Sequence, residues 1–131
     1  MDMSRLLRVL AAALIIISGI LHLGSGLYYS LSGTEIPGGS LMVGVFIVAA
    51  VIYVVLGVGL LSGKRLFSYM GAIIPLFGVI GGTSNFITYL STGASSLTLF
   101  VVALIIALDV TVVLCCGYLL LHKKVVAQTT K

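Results

Sequence analysis

The chain contains no tryptophan, two cysteines, two prolines, two histidines and three acidic residues in a length of 131. Each scarcity removes a class of protein. Three acids and seven bases cannot coat a water-facing surface of ordinary size, which excludes a soluble globular domain. Cys115 and Cys116 are adjacent, and on a helix their side chains diverge by about 100°, so a disulfide between them would be strained. They read as small apolar packing residues, with acylation at the membrane edge as the alternative. Zinc needs three or four ligands, and His22 with Asp109 supplies a pair. No nucleophile stands with a base and an orienting acid, and no phosphate-cradling loop is present, so the sequence offers no catalytic set.

What fills the chain instead is hydrocarbon. Hydrophobic residues make up 60% of it and the mean hydropathy is +1.31. The longest apolar run, residues 97–121 (LTLFVVALIIALDVTVVLCCGYLLL), exceeds the roughly 20 residues that cross a bilayer's hydrocarbon at about 1.5 Å each. Three more runs, residues 6–29, 41–61 and 66–90, predict three further spans. The first follows Arg5 and Arg8 like a signal peptide, but it is longer than an ordinary signal core and lacks a convincing cleavage site. It reads as a retained span. The expected fold is therefore an all-α integral membrane protein, a single four-helix bundle with a short tail over 122–131.

Charge supplies the orientation. Arg5, Arg8, Lys64, Arg65, Lys123, Lys124 and Lys131 are all the basic residues, and with the amino terminus inside every one lies inside. This predicts a plasma-membrane protein with both termini cytoplasmic. The pI of about 9.3 thus reflects orientation and not nucleic-acid binding. Segments also recur: ALIIISGIL from Ala13 and AIIPLFGVI from Ala72, YSLSG from Tyr29 and YLSTG from Tyr89, VVLGVGLL from Val54 and VVLCCGYLL from Val112. The recurrence suggests two tandem hairpins related by a pseudo-twofold axis along the membrane normal, against a background of chance matches between low-complexity apolar segments.

Polar residues inside the spans are few enough to weigh singly. Asp109 is the costliest, at roughly 2.5–3.5 kcal/mol for an acid at the bilayer centre. Counted at about 1.5 Å per residue from the cytoplasmic ends, Asp109 lies at about 18 Å, His22 at about 24 Å, Thr83 to Asn85 at about 25–29 Å and Tyr53 at about 12 Å. His22, Asp109, Asn85, Thr83 and Tyr53 are therefore the candidate intramembrane polar site. Ser18, His22, Ser25 and Tyr29 form a stripe at i, i+4, i+7 and i+11 that should face other helices or a ligand and not lipid. Asp109 either pairs with His22, or stays neutral and bonds a carbonyl or Asn85 to lock the bundle, or cycles its proton in transport. Gly71, Pro75, Gly78 and Gly82 repeat at helical spacing and read as a contact surface.

The layout is similar to small four-span families such as the small multidrug-resistance transporters. Those carry a glutamate in the first span, and this first span has none, so the likeness implies architecture alone. The reading that follows is a non-enzymatic subunit or homo-oligomeric module of a membrane complex, its partners the lipid bilayer and other membrane subunits or itself. A proton-coupled transporter or channel using Asp109 and His22 is the alternative. A quinone- or haem-associated respiratory subunit is the weaker one, with haem shared between chains, since His22 and His122 belong to opposite membrane edges. No cofactor is specified by the residues. Accessibility labelling is expected to place Glu35 and Lys64 on opposite sides of the membrane, and finding both on one side would undo the topology.

Overall fold

The computed structural model describes residues 2–33 and 39–129, with residues 123–129 as backbone alone. Glu35, Pro37 and Lys131 lie outside the described residues. Four helices follow in chain order, α1 (Met3–Ser32), α2 (Gly39–Leu61), α3 (Arg65–Ser91) and α4 (Ser96–Thr129). Each is long and apolar enough to cross a membrane, and together they form a four-helix membrane bundle. The helices overrun the apolar runs that predict them. Helix α1 begins ahead of residue 6, and α4 continues through the basic tail to Thr129, because Leu, Arg and Lys are good helix formers in water as well as in lipid.

The ends of α1 and α3 explain one of the recurring motifs. Helix α1 stops at Gly33, whose φ of 63° is left-handed, and α3 stops at Thr92 with Gly93 at φ 73°. The shared serine- and threonine-rich ending with glycine is a helix stop signal, since glycine enters the left-handed region without a Cβ penalty. At the start of α1 the Ser4 hydroxyl donates to Asp2 Oδ2 at 2.5 Å and holds that exposed carboxyl below its usual range.

Helix α1 packs along α2, α3 packs along α4, and α1 packs along α4, whereas α2 and α3 approach each other sparingly. Going round the bundle, the order is α2, α1, α4, α3, with the α2/α3 seam the loose one. Leucine and valine give no net attraction between helices in lipid, so close approach depends on small residues. Along α1/α2, Gly19 leaves room for Tyr53 Cβ and the Ala50 carbonyl, and Gly57 leaves room for Ile16 and the Ala12 carbonyl. Along α3/α4, Gly71 faces the Sγ of Cys116, which is fully buried and free.

Packing is uneven along the bundle axis. The core of Ala11, Ala12, Ile15, Leu56, Leu60, Val112 and Cys116 lies wholly in the half that holds the start of α1 and the α2–α3 turn. Basic side chains gather at the same end: Arg8 lies against Gly63 of that turn, and the Arg65 guanidinium sits 5.4 Å from the Tyr69 ring centre. Toward the other end the buried residues thin out to Gly26, Tyr89 and Ile105.

This asymmetry makes a substitution test. A leucine at Gly71 must displace Cys116, whereas Gly117 has nothing within 4 Å of the position its Cβ would take. Gly71→Leu is expected to lose about 1–3 kcal/mol of stability in mixed-micelle unfolding, and Gly117→Leu to stay within about 0.5 kcal/mol of wild type.

Candidate functional site

Asp109 of α4 sits at the boundary between the packed half and the looser half, with no exposed surface. Its two oxygens are taken by hydroxyls from two other helices. Ser18 Oγ of α1 donates to Oδ1 at 2.8 Å, and Tyr53 OH of α2 donates to Oδ2 at 2.8 Å. Ser18 is as fully buried as the acid, and Tyr53 is 3% exposed. Helix α3 completes the node by withholding a side chain, since a Cβ on Gly78 would run into Asp109 Oδ2 and Tyr53 OH. All four helices therefore meet at one carboxyl group.

The energetics assign this node a role. Hydrogen bonds between membrane helices contribute on average about 0.6 kcal/mol, so two of average strength recover only part of the roughly 2.5–3.5 kcal/mol insertion cost. The node's larger effect is on register. Apolar faces can slide past one another with little change in packing, while a buried carboxyl group satisfies its lone pairs in few arrangements.

His22 belongs to the neighbourhood but does not bond the acid. Its Nδ1 lies 2.8 Å from the Ser18 carbonyl on its own helix, and because a carbonyl only accepts, Nδ1 carries a proton. The imidazole packs edge-on to Tyr53, ring centres 5.2 Å apart, and against Phe46 at 6.0 Å. Ser18 thus touches both groups, giving His22 its carbonyl and Asp109 its hydroxyl.

Beyond the node the looser half is hollow. A cavity of about 270 Å³ opens at the α2/α3 seam, lined by His22, Tyr53, Phe46, Phe77, Gly81 and Asn85 among others. A second, of about 350 Å³, lies toward α1 and α4 and is walled by Ser25, Tyr28, Tyr29, Ser95 and Thr98 with apolar neighbours. Phe46, Tyr89, Val102 and Ile105 line both, so the two are adjoining lobes. Tyr29 stacks near Phe46 at 6.4 Å and also interacts with Tyr89, which brings the tyrosines of the two recurring motifs together.

The structure gathers Tyr53, Asp109 and His22, places Asn85 across the cavity wall from them, and puts Ser25 and Tyr29 on the second lobe. Thr83 stands apart on the exposed face of α3, its hydroxyl donating to the Val79 carbonyl at 2.7 Å. Asp109 bonds the Ser18 and Tyr53 hydroxyls instead of His22, Asn85 or a carbonyl. Gly78 and Phe46 are site residues that residue type alone does not announce. Gly78 carried a signal in its spacing with Gly71 and Gly82, and Phe46 carried none. No group of three or more His, Cys, Asp or Glu residues among the described residues is placed to hold a metal ion. Compared with protein-family models, curated proteins and solved structures, the chain matches none significantly.

Because the Gly78 wall and the hydroxyl donors act on one carboxyl group, their effects should couple. Ser18→Ala and Tyr53→Phe are each expected to cost about 0.5–1.7 kcal/mol in bicelle unfolding, and the pair to fall short of additivity. Gly78→Ala is expected to cost more than either, and a neutral Gly78→Ala would contradict the packing described for the node.

Proposed function

We propose that this chain is a non-enzymatic four-span module of a membrane complex, set in the plasma membrane with its basic end cytoplasmic, whose central acid locks the helices. The observation that carries this reading is the complete burial of Asp109 with both oxygens held by Ser18 and Tyr53. A proton carrier must let its carboxyl group exchange with water on each side in turn. Here the cytoplasmic-side approach to Asp109 is filled by Ile15, Leu56 and Val112, all nearly or wholly buried. That sealing favours the lock over the alternative of proton-coupled transport through Asp109 and His22.

Orientation rests on the clustering of Arg8, Arg65 and His122 at one end, where His122 packs 5.5 Å from Tyr118. The module role is supported by the shortness of the described connections between helices, residues 62–64 and 92–95. Partner subunits, or further copies of this chain, would meet the lipid-facing surface.

The test joins two measurements on the full chain. In liposomes under an imposed pH gradient, wild-type protein is expected to pass no more protons than protein-free liposomes. In mild detergent, wild type and Asp109→Asn are expected to hold the same partners by native mass spectrometry. Proton flux that Asp109→Asn abolishes, or a stable lone monomer, would overturn the reading.

A further inference from the structure

The α2/α3 cavity carries a feature that a lock does not require. Among the described residues, no buried side-chain nitrogen or oxygen lacks a hydrogen-bond partner. His22 and Asn85 both line this cavity, and no other described residue hydrogen-bonds His22 Nε2 or the Asn85 carboxamide. Polar groups facing hydrocarbon without partners are costly, so their placement calls for a molecule that can bond them.

We propose that the cavity binds a neutral, lipid-soluble phenol or hydroquinone that enters from the bilayer between α2 and α3, its ring hydroxyl donating to His22 Nε2. Six properties of the site select this class. With the Nδ1 proton given to the Ser18 carbonyl, Nε2 of the neutral ring is an acceptor and calls for a donor. A hydroxyl supplies one, and a quinone carbonyl does not. Asn85 offers both a donor and an acceptor to a second oxygen on the ring.

The walls select a ring. Phe46, Tyr53 and Phe77 line the cavity with His22, and aromatic faces suit a flat guest. Its volume, about 270 Å³, exceeds the roughly 150 Å³ that accommodates benzene, leaving room for ring substituents and the first carbons of a tail. Entry is lateral, because the α2/α3 seam is the one the helices leave loose. Neutrality follows from the lining, which contains no acidic residue to pair with a cation, Asp109 being wholly buried behind Ser18 and Tyr53. This site is independent of whether the chain is a module or a carrier.

The experiment measures binding of decylhydroquinone, its oxidised quinone and dodecanol to the full chain in nanodiscs, by native mass spectrometry and competition. Saturable one-to-one binding of the hydroquinone is expected, about tenfold tighter than the quinone, as one hydrogen bond would give. His22→Phe keeps the aromatic contacts and removes the acceptor, and should weaken hydroquinone binding about tenfold while abolishing its preference over the quinone. Gly81 lines the cavity with nothing within 4 Å of its Cβ position, so Gly81→Phe should fill the site and block binding with thermal stability unchanged. Hydroquinone binding unaltered by His22→Phe or by a stably folded Gly81→Phe overturns the proposal, as does equal binding of dodecanol or absence of saturation.

Discussion

A carboxyl group placed in hydrocarbon must find donors, and in this bundle that demand is met by two hydroxyls on separate helices. Most of the remaining architecture answers to it. Ser18 fixes the rotation of α1, Tyr53 that of α2, and the bare backbone at Gly78 sets how near α3 may come. In a soluble protein the exclusion of water from leucine faces would do much of this aligning. Lipid tails are as apolar as leucine, so here the alignment falls to polar contacts and to small residues that allow backbones to approach.

The node also divides the molecule. On one side, Ala11, Ala12, Ile15, Leu56, Leu60 and Val112 interlock, and the recesses at Gly57 and Gly71 are filled by Ile16 and Cys116. On the other, aromatic rings line two adjoining lobes. A packed half backing a hollow one is the arrangement of a receptacle, with His22 at the boundary between rigid support and open space. The imidazole is well suited to that position, because one nitrogen is tied to the helix that carries it while the other is left for a guest.

Much of this was legible in the residues. Run length against bilayer thickness gives four spans, and an acid within an apolar run marks Asp109 as the centre. The partners of Asp109 were harder to read, because sequence gives depth along a helix but not the azimuth that decides which neighbour it faces. Ser18 showed only as part of a stripe, and Tyr53 as one tyrosine at a slightly different depth. Thr83 and Asn85 are two positions apart on one helix and so point in different directions, which depth cannot distinguish. Of the recurring segments, the tyrosine–serine–glycine motif has a local cause, since it terminates two helices with left-handed glycine.

The α2–α3 turn at residues 62–64 lies at the packed end, and the two helices it joins are each bound more closely to another neighbour than to one another. Geometrically this is a pair of tweezers held at the tip of the fold, with the jaws at the far end. Over a helix about 35 Å long, a pivot of about 5° at the turn displaces the jaws by about 3 Å, close to the thickness of an aromatic ring. Admission of a flat molecule from the bilayer would then ask for a small rigid-body swing and no unwinding of any span.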